Sequence, residues 1–436
     1  MTRFVREIKA GTLMRWLSKD FKYRPELFET CMDEQYIHTY SYPESGIYGA
    51  PKLPGGFDIW LCSDLTFPED CIVRLSVKSA TGEDSALVEG SASGKGEVPP
   101  LEELAKFESP GEAGEKPRAA GCAETEPWLA AVSETEPWLA AELERFERAV
   151  SAAKEDGGKL MFLLSDTHYS PGANWPRTLA HLKLAAERLH PDCVIHLGDL
   201  TDGMLPLEET KVFAKAVKDG LENLGVPVHI CIGNHDTNYF RGNPDYMGLQ
   251  EARAFYSTGG RSAEQPDYYT DIQDAGLRMI FLESFDPVRE ERYGFSDQTT
   301  EWFKKTLRET PEGLKILVFS HVTPVARMHC WSDTIRLGEE MIELCRGNKN
   351  VTGWIFGHNH CDQTEYIDGM PFLSIGSSKT EDFRDHKPYG STTYRREQGS
   401  LSEDLWYALI VKKDGGLELF HFGAGEDRSI KRDTSR

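Results

Sequence analysis

From Lys159 onward the chain alternates short apolar runs with segments of helical periodicity. KLMFLL (Lys159–Leu164), CVIHL (Cys193–Leu197), VHICI (Val228–Ile232), LRMIFL (Leu277–Leu282), KILVFS (Lys315–Ser320) and VTGWIF (Val351–Phe356) are nearly continuous hydrophobic stretches of strand length. Such runs suit strands buried on both faces. Arg177–Leu189, Glu208–Leu224 and Gln298–Arg308 place apolar residues three and four apart, as amphipathic helices do. PFLSI (Pro371–Ile375) and a hairpin Trp406–Val411/Leu417–Phe422 around Asp414-Gly415-Gly416 close the series without intervening helices. Strand–helix alternation followed by a run of strands predicts an α/β domain with mixed sheets over about residues 157–422.

The segment before it reads differently. In residues 1–79, Cys71–Ser79 alternates Val73, Leu75 and Val77 against Arg74, Ser76 and Lys78, and Phe57–Phe67 is aromatic and β-branched between Gly and Pro. This predicts a small β-rich module, either an accessory domain for a glycan or protein partner or an extension of the main domain. Residues 80–156 turn to Gly, Ser, Glu, Ala and Pro, the composition of a flexible linker. Within them ETEPWLAA at Glu124–Ala131 recurs at Glu134–Ala141, and a helix is expected over Glu142–Ala153. Two copies are too few for a solenoid. Residues 423–436 read as a tail.

Charge narrows the partners. Against 71 Asp+Glu stand 49 Lys+Arg, a net charge of −22, of which −10 falls in residues 81–150. A chain this acidic does not present the broad basic face that duplex nucleic acid requires. The nine cysteines are dispersed and lack any CxxC spacing, which predicts reduced thiols rather than a disulfide or zinc framework. No run reaches the ~18 apolar residues of a membrane span. The N-terminus lacks the apolar core of a secretory signal, so a cytoplasmic location is expected.

Five polar clusters stand at the C-terminal ends of the expected strands. They are Ser165-Asp166-Thr167-His168, Gly198-Asp199-Leu200-Thr201-Asp202, Gly233-Asn234-His235-Asp236, Ser320-His321 and Gly357-His358-Asn359-His360. Loops beyond strand C-termini are where α/β sheets place ligands. The clusters supply carboxylate, amide and imidazole donors and no thiolate, a set suited to Mn, Fe, Co or Zn. Seven such ligands exceed the needs of one tetrahedral ion, so two neighbouring metals are implied. His181, His190, His196, His229 and His421 follow no such pattern and receive no role.

The ordered set DxH…GDxxD…GNHD…H…GHxH resembles the calcineurin-like metallophosphoesterase superfamily over about Leu160–Ser377. The resemblance implies an α/β fold, a β-sandwich flanked by helices, here preceded by the β-rich module and linker. It implies that Asp166, His168, Asp199 and His360 hold one metal, that Asp199, Asn234, His321 and His358 hold a second, and that Asp199 bridges them. His235 would face the substrate phosphate, oriented by Asp202 or Asp236. The activity implied is hydrolysis of a phosphodiester or phosphomonoester, on a small molecule or phosphorylated polymer, by a hydroxide activated between the two metals. Unlike protein Ser/Thr phosphatases, GDLTDG has no arginine after its first aspartate. Two other readings are a phosphoesterase-fold scaffold without turnover, opposed by the intact ligand set, and a nuclease, opposed by the acidity. Arg177, Arg241 and Arg327 lie near the motifs in sequence and are the candidate phosphate grips.

Overall fold

A computed structural model describes residues 136–431 apart from short stretches at 155–156, 171–172, 204–205, 240–244, 259–260, 263, 290, 331, 380–389 and 398. Before residue 136 it describes four strands, β1 (Arg3–Lys9), β2 (Tyr36–Tyr40), β3 (Asp58–Cys62) and β4 (Ile72–Val77), paired antiparallel in the order β1-β4-β3-β2. The linker and the first ETEPWLAA copy lie outside the described residues.

Two six-stranded mixed sheets form the main domain. One has the order β16-β15-β14-β5-β6-β7, built from β5 (Lys159–Leu164), β6 (Cys193–His196), β7 (Val228–Ile230), β14 (Leu405–Val411), β15 (Leu417–Gly423) and β16 (Arg428–Ile430). The other has the order β12-β13-β11-β10-β9-β8, from β8 (Tyr268–Ile272), β9 (Leu277–Phe281), β10 (Lys315–Ser320), β11 (Val351–Phe356), β12 (Gln363–Ile367) and β13 (Met370–Ser374). The central strands β5–β6–β7 and β9–β10–β11–β13 pair in parallel, and the outer ones antiparallel. Helices α1 (Leu139–Lys154), α2 (Trp175–Leu189) and α3 (Leu207–Glu222) cover the outer face of the first sheet, and α5 (Asp297–Glu309) and α6 (Gly338–Arg346) that of the second. A shorter helix, α4 (Leu249–Phe255), follows β7. No helix among the described residues is long and apolar enough to cross a membrane.

The period-2 geometry of strands explains why the apolar runs are continuous. Along β5, Leu160, Phe162 and Leu164 face the helices while Met161 and Leu163 enter the core between the sheets. Along β10, Ile316 and Val318 face α5 and α6, whereas Leu317 and Phe319 join that same inner core. Neither of these strands therefore has a wet face, and each fully buried large side chain contributes roughly 1.5–3 kcal/mol.

Several elements were not foreseen. The edge strands β8 and β12 are partly exposed and polar, so their composition hides them. Helices α4 and α6 are short, and α6 starts after Leu337 in a left-handed conformation. Two boundaries also move. The stretch taken as a tail contributes β16, which extends the first sheet through pairs such as Leu417↔Ile430. Helix α1, assigned to the linker, is core: Leu143, Phe146 and Val150 are buried, and Phe146 meets Trp406 edge-on at 5.0 Å.

The second repeat copy anchors the start of α1. Glu136 accepts from Arg177 at 2.5 Å and pairs with His181 Nε2 at 2.7 Å, while His181 Nδ1 pairs with buried Asp404. Thr178 donates to Asp404 at 2.6 Å, and Arg177 also pairs with Glu403 at 2.9 Å. Trp138 sits edge-on to the His181 ring at 5.6 Å with the Arg177 guanidinium 5.1 Å away. Burial opposes charging His181, yet its bonds to Asp404 and Glu136 prevail and raise it to about 9.

Two predictions follow from this clamp. Deleting residues 1–135 should leave a folded domain, whereas a start at Ala140, which removes Glu136, Trp138 and Leu139, should lower the thermal midpoint. Equal midpoints for the two truncations would show the clamp to be inert. Because folding raises the His181 pKa from 6.5, its contribution is whole below that value and is lost as pH climbs through about 9. The fall in midpoint between about pH 7 and pH 10 should therefore be shallower in His181→Gln than in the parent.

Candidate metal centre

The parallel strands bring the five clusters to one edge of the sandwich. Beyond β5 and β6 the two loops are zipped together: Asp166 N–H donates to Gly198 O at 2.9 Å and His168 N–H to Asp199 O at 2.9 Å. The backbone is held away from ordinary conformations. Of nine non-glycine residues with positive φ among those described, five are Asp166, His168, Asp199, His358 and His360. Few non-glycine residues adopt the left-handed region, and such strain gathers where function needs it. Glycines make room beside them. A Cβ on Gly233 would collide with the Asp199 carboxylate, and one on Gly357 with the Ser165 hydroxyl.

Two groups of donors converge. Asp166, His168, Asp199 and His360 bring one ligand atom each to within 4.8 Å of one another, and so do Asp199, His321 and His358. In the first group His168 Nε2 and His360 Nε2 are 3.0 Å apart, with Asp166 Oδ1 3.3 Å from His360 Nε2. In the second, His321 Nε2 lies 3.1 Å from His358 Nδ1 and 3.0 Å from Asn234 Oδ1. Asp199 Oδ2 stands between the groups, 3.7 Å from His168 Nε2 and 3.3 Å from His321 Nε2. The chemistry of the set fits two cations. Asp166 Oδ1 is fully buried without a hydrogen-bond donor, and imidazole nitrogens crowd together around carboxylate oxygens. Burial opposes ionisation of Asp199, but the neighbouring His321 and His235 imidazoles hold its carboxyl well below the usual range.

Supporting bonds aim these candidate ligands. His321 Nδ1 bonds the Leu197 carbonyl at 2.8 Å, which turns Nε2 inward. Asp166 Oδ2 accepts from the His358 N–H at 2.9 Å, leaving Oδ1 for the centre. His168 Nδ1 faces the Asp202 carboxylate at 3.2 Å. Outer carboxylates and carbonyls of this sort fix the tautomer and orientation of metal-binding histidines.

His235 is half-buried, its ring 4.8 Å from that of His168. Its N–H donates to Asp199 Oδ1 at 2.8 Å, and its Nδ1 bonds the Asp202 carbonyl at 2.6 Å. The side chains expected to orient it do other things. Asp202 supports His168, accepts from Ser170 at 2.6 Å, and binds Lys379 Nζ at 2.8 Å, and it meets His235 through its main-chain carbonyl. The Asp236 carboxylate turns away, accepting from the N–H groups of Asp199, Leu200 and Gly233 at 2.9, 2.7 and 2.8 Å. Burial and the Asp199 charge push Asp236 up to about 7. Both are positioning residues that tie GNHD to GDLTD.

The histidines given no role have structural ones. His181 is in the clamp, and His190 caps α2 in a left-handed conformation. His196 bonds Thr167 at 2.5 Å, His229 stacks on Phe281 at 4.7 Å, and His421 pairs with Asp427 at 2.7 Å. Of the candidate phosphate grips, Arg177 belongs to the clamp, Arg327 pairs with Glu365, and Arg241 lies outside the described residues. Lys379 was missed. It stands five residues past β13 with no motif around it, and only the fold brings it to Asp202.

No curated protein matches the chain. Among solved structures, a dimetal phosphatase from Danio rerio is similar at 16% identity over 63% of this chain and 99% of that one, with a TM-score of 0.49. GAP50 of Plasmodium, described as the anchor in the inner membrane complex, is similar at 12% identity over 64% and 90%, with a TM-score of 0.44. A putative 5'-nucleotidase from Staphylococcus aureus is similar at 13% identity over 64% and 55%, with a TM-score of 0.35. The calcineurin-like phosphoesterase family model matches residues 161–362, the span that contains every donor described above. Residues 161–362 are thus the part of the chain that is similar to the calcineurin-like phosphoesterase family.

Proposed function

We propose that the protein is a metal-dependent hydrolase of a phosphoester, carried by a small molecule or by a phosphorylated polymer. The observation that supports this most directly is the sharing of Asp199 between two clusters of buried donors. Asp166, His168, Asp199 and His360 would hold one cation, and Asp199, Asn234, His321 and His358 the other. Mn, Fe, Co or Zn suits these oxygen and nitrogen donors. A pair of bound cations supplies Lewis acidity to a water molecule and to the phosphate oxygens.

The chain's own residues do the rest. Neutral Asn234 limits the negative charge of the second cluster, which keeps the site attractive to a phosphate. The Asp202 carbonyl only accepts, so the proton of His235 resides on Nδ1 and Nε2 is the atom that exchanges a proton with the ester. Asp236 fixes the loop that carries His235, and the bond from His235 N–H to Asp199 Oδ1 keeps the imidazole in register with the shared carboxylate. A scaffold without turnover would have no use for this arrangement of strained ligands and an aimed imidazole.

Asp199→Asn should remove both metals and turnover together, since the bridging charge separates two cations across a short gap. Elemental analysis beside an assay on 4-nitrophenyl phosphate and its bis-ester checks this, and full metal content with activity would overturn the shared-carboxylate reading. His235→Ala should keep its metals and lose roughly 10²–10⁴-fold in turnover. The deficit should be larger for an alkyl ester, whose leaving group must be protonated, than for a nitrophenyl ester. Equal deficits would mean that His235 stabilises charge without transferring a proton, and loss of metal would make it a ligand.

A further inference from the structure

A row of rings leads outward from the second cluster. His358 is flanked by His329 at 4.8 Å and Tyr293 at 5.1 Å between ring centres, and those two are 4.9 Å apart. Tyr293 meets Phe285 at 5.8 Å, Phe285 meets Tyr239 at 6.3 Å, and Tyr239 meets Tyr246 edge-on at 5.4 Å. These rings come from three different loops, those after β7, β9 and β10. A wall made only for packing would be closed, as Phe285 and His329 are. Tyr239, Tyr246 and Tyr293 instead keep part of their surface open.

On this wall lies Arg292, half-buried, with its guanidinium 5.4 Å from the centre of the Tyr239 ring. Arginines around it are paired: Arg289 with Asp286 at 2.8 Å in the same loop, Arg253 with Glu283 at 2.6 Å, and Arg336 with Asp297 at 2.6 Å. Among the described residues no carboxylate pairs with Arg292, in a chain carrying 71 Asp+Glu. A guanidinium stacked on an aromatic face keeps its in-plane N–H fork for an anion, and bidentate binding of phosphate or carboxylate is what that fork does best.

We infer that Arg292 and the partly exposed rings of Tyr239 and Tyr293 form a second subsite, taking a planar ring and an additional anionic group of the substrate, the chemistry of a nucleotide with more than one phosphate. This rests on the phosphoesterase reading for the reacting phosphate alone. The ring would stack on the tyrosines and the extra phosphate would bridge to Arg292.

The test is inhibition of 4-nitrophenyl ester turnover by the metal-loaded full chain, comparing inorganic phosphate with adenosine 5'-diphosphate, and direct calorimetric binding of both. Adenosine 5'-diphosphate should bind more tightly than phosphate. Arg292→Ala should weaken it roughly tenfold to a hundredfold, Tyr239→Leu should weaken it as well, and the constant for inorganic phosphate should stay within about twofold in both. Arg289→Ala, one turn of the same loop away and already paired, should change neither constant. Equal affinity for the two ligands, or equal losses for both in Arg292→Ala, would overturn the subsite. Absence of ester turnover with the Arg292-dependent preference intact would instead refute the phosphoesterase reading and leave the subsite standing.

Discussion

The sharing of Asp199 is the constraint on which the rest of the domain depends. One buried carboxylate faces imidazoles on both sides, and its second oxygen is occupied by the N–H of His235. A carboxylate so placed has no freedom to rotate toward either group alone. Everything nearby preserves that stalemate: Gly233 leaves room for it, Asp236 pins the N–H groups around it, and the left-handed conformation of Asp199 itself turns the side chain inward. The two sheets supply the force. Their parallel strands end at a common edge, and the dry core between them fixes where those ends fall.

Strain is distributed rather than concentrated. Five candidate ligands in an uncommon backbone region cost of order 1–3 kcal/mol each, and they persist only because the surroundings over-determine them. The surroundings do so with main-chain hydrogen bonds between loops that are distant in sequence, such as Lys379 N–H to Asp166 O and Ser378 N–H to Ser165 O. The start of the loop after β13, which offers no candidate ligand among the described residues, thus acts as a splint for the first motif. The buried Asp362 carboxylate, two residues past His360, plays a similar part. It accepts from Tyr407 and Tyr394 at 2.5 and 2.8 Å and from Arg428 of β16 at 3.2 Å.

What could be read from the sequence was what repeats a physical rule. Continuous apolar runs announced strands buried on both faces, and ligand-type residues beyond them announced the centre, because strand ends and loop chemistry are local properties. What could not be read was direction. Nothing in GNHD tells whether the carboxylate of Asp236 turns to the histidine or to three backbone N–H groups, and nothing in GDLTD separates what Asp202 does with its carbonyl from what it does with its carboxylate. Lys379 and Arg292 were silent for a different reason, since each gains its meaning from a partner brought by the fold. Helix α1 was misassigned because the charge-rich composition around it resembles a linker, although Leu143, Phe146 and Val150 recur at helical spacing.

The duplicated octapeptide raises a question of register. The first copy carries the same Glu, Trp and Leu that engage the clamp in the second, ten residues earlier in the chain. Were the chain to slip by that period, Glu126, Trp128 and Leu129 would reproduce the contacts of Glu136, Trp138 and Leu139. Downstream, however, Ser133 would fall where Leu143 is buried and Glu136 where Phe146 is buried. Pro137 would land in the third turn of the helix, a break of ~3 kcal/mol or more. The anchor is degenerate, but the helix behind it is not. Identity of the two copies therefore creates no second way to thread the domain, and a duplication that looks ambiguous on paper is single-valued in space.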